Sequence, residues 1–155
     1  MIRGTEILKN EGITNHDITK HLGHLKNFNG VFAHDMLPTL SKKTINFGVV
    51  NYHNRSQPGS HWVAYYYDPK QPYTKFFDSY GLPPSNKIKK FLLSFGKPLT
   101  YNAKMIQATN SNRCGWYTIY FILASYKENS FYDIISHFDS NGKMFNDKIL
   151  MRLLN

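Results

Sequence analysis

Two kinds of apolar patterning divide this chain. Phe47 to Tyr52, His61 to Tyr67 (HWVAYYY) and Tyr73 to Asp78 (YTKFFD) are short runs rich in aromatic and β-branched residues, and they predict strands. Asp68-Pro69-Lys70-Gln71-Pro72 predicts a turn joining the last two, and Gly81-Leu82-Pro83-Pro84 ends the sheet. Gly30 to Pro38 reads as extended and then turned, Asn54 to Ser60 as a loop, and Tyr101 to Gln107 as a further strand. Elsewhere apolar positions recur every three or four residues. Ile88, Phe91, Leu92 and Phe95 share one face of a helix from about Asn86 to Phe95, capped by Ser85. Cys114 to Tyr126 is apolar nearly all round, which predicts a buried helix. Other helices are expected at Thr5 to Asn10, after the capping-box pattern Thr14-x-x-Asp17, near Ser130 to Phe138 and at Lys143 to Leu154. The expected class is α+β, a small, mostly antiparallel or mixed sheet packed against helices.

Composition narrows the picture. With 155 residues, 41% apolar and 15% aromatic, the chain can bury a real core, and one domain over residues 1–155 is expected. The longest apolar run, Trp116 to Ala124, is interrupted by Thr118 and falls well short of the roughly 18 residues of a membrane span. The first residues, Met1 to Glu6, lack the apolar segment of a secretory signal, so a place inside a cell, or in a particle assembled there, is expected. A formal charge of +9 draws a protein toward nucleic acid or acidic partners, and it equally keeps one in solution. Lys87, Lys89, Lys90 and Lys97 form the densest basic cluster, without a recognisable nucleic-acid module beside them. The one cysteine excludes a disulfide within the chain.

Candidate chemistry converges on three places. Pairing Asp68 with Gln71 across the predicted turn would set His61 opposite Asp78; pairing Tyr67 with Thr74 would make them diagonal neighbours. Either register leaves both side chains on one face at the open end of the hairpin, where a carboxylate can hold an imidazole and stabilise its charged form. Cys114 follows a polar loop and opens the hydrophobic helix. Unpaired backbone N–H groups at a helix start favour the thiolate, the species that attacks carbonyl groups. Gly115 next to it would let a substrate or loop come close to the backbone. Gln107, seven residues before Cys114, carries an N–H₂ group suited to a developing oxyanion.

The order His61-Trp62, then Phe77-Asp78-Ser79-Tyr80-Gly81, then Gln107-x₆-Cys114-Gly115 resembles the adenain-type cysteine endopeptidases of adenoviruses and related elements. The wider group includes proteases specific for ubiquitin-like modifiers. Gly59 to Tyr65 and Gly30-Val31-Phe32 to Leu37-Pro38 share in the resemblance, which extends over nearly the whole length. It implies Cys114 as nucleophile, His61 as base, Asp78 as third member and Gln107 as oxyanion donor, with Trp62 packed beside the pair and Gly115 at the substrate side. Asp78 stands where the adenovirus enzymes usually carry Glu, and is more like the modifier-specific branch.

The resemblance further implies a protein substrate, a capsid precursor trimmed during assembly, and location in the virion and the host-cell virus factory. Chains of this size look like the capsid-maturation proteases of virophages or Maverick-type elements. No cofactor and no membrane are implied, and a monomer is expected. The adenovirus enzymes respond to a viral peptide and to DNA. With no second cysteine here, such a peptide would bind non-covalently, and the +9 charge is compatible with DNA stimulation. Two other functions fit parts of the same pattern: a protease or acyltransferase acting on ubiquitin-like modifiers, and a non-enzymatic basic DNA-binding virion protein. His16, His21 and His24 lack a fixed carboxylate or thiolate beside them and read as surface histidines rather than zinc ligands. His53, the rival base, has no matching acid. Tyr65-Tyr66-Tyr67 reads as a strand with one face in the core and phenol tips in water.

Overall fold

The computed structural model describes residues 13–52, 61–109, 111–138 and 142–155. Strands β1 (Phe28–Ala33), β2 (Asn46–Asn51), β3 (Trp62–Tyr67), β4 (Thr74–Phe77) and β5 (Leu99–Tyr101) lie side by side in chain order in one sheet. The described helices are α1 (Asn15–Leu22), α2 (Asn86–Leu93), α3 (Cys114–Tyr126), α4 (Phe131–Ser136) and α5 (Lys143–Leu154). The helix expected at Thr5 to Asn10, the loop Asn54 to Ser60 and His53 fall outside the described residues. This is the α+β arrangement expected, with the sheet mixed: the central pairings β2–β3 and β3–β4 are antiparallel, the outer ones β1–β2 and β4–β5 parallel.

The central strand β3 is buried on both faces because helices cover both. Side chains alternate along a strand. Trp62, Ala64 and Tyr66 therefore join Phe47, Val49, Phe77 and the α3 side chains, while Val63, Tyr65 and Tyr67 join Val50, Phe76, Ile88, Leu92 and Phe95. The tyrosine run is thus enclosed rather than tipped into water. Its polar ends are satisfied inside: Tyr65 Oη donates to Asn29 Oδ1 at 2.7 Å and Tyr67 Oη to the Lys42 carbonyl at 2.7 Å.

Local chemistry sets most element ends. The Thr14/Asp17 capping box opens α1: Thr14 Oγ1 accepts from Asp17 N–H at 3.2 Å, and Asp17 Oδ2 accepts from Thr14 N–H at 2.9 Å. Because α1 stops at Leu22, His24 shares no helix face with His21, and His21 is half-buried against Trp116, 5.2 Å between ring centroids, rather than a free surface residue. Ser85 caps α2, as expected, and α3 spans Cys114–Tyr126 as its apolar run predicts. The strand expected at Tyr101 to Gln107 is instead Leu99–Tyr101, paired in parallel with Thr74–Phe76. The chain leaves the sheet there because Asn102 turns its side chain onto the backbone of Asp78 and Ala103 adopts a left-handed conformation, φ 48°.

Candidate active site

The two ends of one hairpin and the mouth of one helix meet at His61. The observed register pairs Ala64 with Phe77 and Tyr66 with Lys75, which is the Tyr67–Thr74 alternative. His61 and Asp78, just outside the paired residues, come together on one face, and His61 Nε2 donates to Asp78 Oδ1 at 2.9 Å. Continuing the register sets Tyr80 opposite His61. Their rings stack 4.7 Å apart, and Tyr52, at the end of β2, stacks on the same imidazole at 5.8 Å, nearly parallel.

Asp78 is 1% exposed and its orientation is fixed from several directions. Its Oδ1 also accepts from Tyr80 N–H at 2.8 Å, while Asn102 bonds its backbone on both sides. A buried carboxylate so placed accepts hydrogen bonds and cannot easily rotate away.

Cys114 opens α3, whose first residues have no side-chain cap, so backbone N–H groups remain directed at the helix mouth. The sulfur lies in an apolar cluster with Trp62 and Trp116 and is 3% exposed. It nonetheless acts on His61. Burial alone would lower the imidazole pKa; hydrogen bonds to Asp78 and Cys114, with the negative charge of each, outweigh it and raise the pKa to about 9. Asp78 takes Nε2, and Nδ1 is buried as well. Both neighbouring phenols are held neutral: burial raises the Tyr52 and Tyr80 pKa values, Asp78 adds to both, and Cys114 adds to that of Tyr80.

Gln107 is fully buried and held at both ends of its carboxamide. Ser79 Oγ donates to its Oε1 at 2.5 Å, and its Nε2 donates to the Ser111 carbonyl at 2.8 Å, leaving the second N–H of that amide to another acceptor. Gln107 is thereby tied to the residue after Asp78 and to the segment three residues before Cys114. Trp62 lies beside His61 in the chain, and its Nε1 donates to Asn15 Oδ1 at 2.7 Å, fastening α1 to the site. The space against Gly115 is filled by Ile13: a Cβ there would stand 2.6 Å from Ile13 Cγ1. Among the described residues no group of three His, Cys, Asp or Glu side chains is placed to hold a metal ion.

Tyr52, Tyr80 and Asn102 are the site residues that sequence reasoning missed. Tyr80 was within reach, since the second hairpin register already sets it across from His61; Asn102 carries no local signal.

Residues 28–100, which include His61 and Asp78, match the adenovirus endoprotease family, Peptidase_C5. Over that stretch the chain is similar to the adenovirus endoproteases. It is 24% identical over 105 residues to the protease of Bovine adenovirus 7, covering 59% of this chain and 52% of that protein, so it spans about half the length of that curated relative. The fold is similar to that of the ASFV pS273R protease at TM-score 0.64, 18% identity, over 89% of this chain and 68% of that one. It is shared also with the SUMO protease Ulp1 at TM-score 0.53, 14% identity, over 98% and 83%. No described helix is long and apolar enough to cross a membrane.

Proposed function

We propose that this chain is a cysteine endopeptidase with Cys114 as nucleophile, His61 as acid and base, Asp78 as orienter and Gln107 as oxyanion donor. The observation that carries this reading is the single imidazole that Asp78 holds at 2.9 Å and that also interacts with Cys114. His61 Nδ1 holds the thiol proton while the Cys114 sulfur bonds to the scissile carbonyl carbon. The oxygen of the tetrahedral adduct takes the remaining Gln107 N–H and the backbone N–H at the start of α3. His61 then gives its proton to the leaving nitrogen as the C–N bond breaks, forming the thioester. Water, deprotonated by His61, attacks that thioester; the carbon–sulfur bond breaks, and the acid and the thiol are released.

The substrate we propose is a viral structural precursor, cut during particle maturation, with the protein acting as a monomer in the virion and in the infected cell. The likeness to adenovirus protease supports that substrate class. No cofactor enters the steps above. A peptide activator would act non-covalently, because Cys114 is the one cysteine of these 155 residues. DNA would act through the +9 charge. Asp78, together with the Ulp1-like fold, favours a second reading in which the substrate is a ubiquitin-like modifier.

The deciding experiment offers a capsid precursor and a modifier-derived coumarin amide to the wild-type protein and to Cys114→Ala. Cleavage of the precursor by wild type, abolished in the variant, is the expected result. Turnover of the modifier substrate alone would move the chain to the second reading, and undiminished cleavage by Cys114→Ala would remove the mechanism.

A further inference from the structure

The loop that carries Gln107 toward Cys114 is held by a carboxylate from the far end of the chain. On α5, Asp147 Oδ2 accepts from Ser111 Oγ at 2.9 Å and lies 3.3 Å from Arg113 Nε, while its Oδ1 accepts from Tyr117 Oη at 2.8 Å. Ser111 Oγ in turn accepts from Arg113 N–H at 3.3 Å, and the Ser111 carbonyl is the acceptor for Gln107 Nε2. One side chain thus joins the residue that orients Gln107, the residue just before Cys114, and a residue one turn into α3.

The geometry points to Asp147 as a positioning residue that sets the Gln107 carboxamide relative to the mouth of α3. The inference rests on the endopeptidase reading of Cys114 and Gln107 and adds to it a residue in no direct contact with the reacting atoms. Three features support it over an ordinary surface ion pair. Asp147 spends both oxygens on partners in the loop and helix that flank Cys114. Tyr117 is fully buried, and its phenol is kept a donor because burial and the Asp147 charge both raise its pKa. Finally, Arg113, at the position where α3 begins, makes no side-chain capping bond, so that end of the helix depends on such outside contacts.

A misplaced oxyanion donor slows acyl transfer without disarming the thiol, and that distinction is measurable. The test compares wild type, Asp147→Ala, Asp147→Asn, Ser111→Ala and Cys114→Ala in two assays. One is cleavage of a fluorogenic peptidyl-Gly-Gly coumarin amide, read as kcat and KM. The other is iodoacetamide alkylation of Cys114, a displacement that builds no oxyanion. For Asp147→Ala the expected result is a fall in kcat of about 10- to 100-fold, less than the roughly 10²- to 10³-fold of deleting a donor outright, with KM and the alkylation rate within about twofold. Asp147→Asn, which keeps an oxygen to accept from Ser111 or Tyr117, recovers much of the loss. Ser111→Ala shows the same kcat-only defect, which keeps the question answerable should Asp147→Ala fold poorly. Unchanged kcat in both alanine variants, or kcat, alkylation and melting temperature falling together, overturns the positioning role. Full activity in Cys114→Ala would instead overturn the endopeptidase reading itself.

Discussion

Asn102 grips the backbone of Asp78 from both sides. Its Oδ1 accepts from the Asp78 N–H at 3.1 Å and its Nδ2 donates to the Asp78 carbonyl at 2.6 Å, the pattern of a strand pair made by one side chain. The same Nδ2 also donates to the Lys104 carbonyl at 3.0 Å. Asp78 is therefore held just past the end of β4, where the sheet ladder itself no longer reaches.

Replacing Asn102 by Ala is expected to leave the Asp78 N–H without its acceptor, the carbonyl keeping the Gly81 N–H, and to cost about 1–3 kcal/mol of stability. It should also lower peptide cleavage at temperatures where the variant is fully folded. Asn102→Asp should recover little, because a carboxylate accepts from the Asp78 N–H but cannot donate to its carbonyl. Thermal melting alongside kcat measures both effects; an Asn102→Ala protein with native stability and activity would show that the grip is idle.

The His61 pKa near 9 fixes a direction for pH dependence. The folded protein binds the imidazole proton more tightly than the unfolded chain does at about 6.5. The stability this contributes is therefore fully present below pH 6.5 and is lost as pH rises through about 9. Urea midpoints should fall across that window in wild type. In Asp78→Asn, burial outweighs the remaining contacts, the His61 pKa drops, and that portion of the pH dependence should vanish. NMR titration of the ring protons reads the same change directly, and identical titrations in the two proteins would refute it.

The parts legible from sequence are those where side-chain pattern and backbone agree. His61 to Tyr67 and Cys114 to Tyr126 declare themselves through local apolar density, and a two-residue period places His61 and Asp78 on one face whichever register forms. What stayed hidden depends on distant pieces of chain. The strand begins at Leu99 rather than Tyr101 because Thr74 offers its edge to Leu99, a pairing no local pattern encodes. Asn102 and Asp147 act through residues 24 and 36 positions away, Asp78 and Ser111, and look like ordinary polar residues in the sequence. The tyrosines of β3 are enclosed on both faces because α2 closes the second face.

Gly81 is expected to resist substitution. It has φ +75°, and a Cβ there would sit 2.6 to 2.9 Å from backbone atoms of Lys104 and Met105, which cannot rotate away. The left-handed conformation alone costs a non-glycine residue about 1–2 kcal/mol, and the overlap adds to it. Its N–H also closes the turn by donating to the Asp78 carbonyl at 2.7 Å. Gly81→Ala should therefore lower the melting temperature and loosen Asp78 together, seen as a lower His61 pKa. A variant that melts like wild type would mean the turn relaxes without consequence.

Gly115 sets two opposing effects against each other. Ala in place of Gly within a helix gains roughly 1 kcal/mol of propensity, whereas forcing a methyl group into a filled core costs about 1–3 kcal/mol. Here the new Cβ would meet Ile13 at 2.6 and 2.7 Å, and Ile13 is itself buried, 3% exposed, so overpacking wins and Gly115→Ala should be destabilised. Shortening the neighbour should reverse the sign. In an Ile13→Ala background the cavity receives the methyl group, and adding Gly115→Ala should stabilise that protein. Cleavage by the double variant then separates packing from a part in substrate approach: recovered stability with recovered activity assigns Gly115 to the packing of Ile13. Recovered stability with activity still lost assigns the missing side chain of Gly115 to substrate approach.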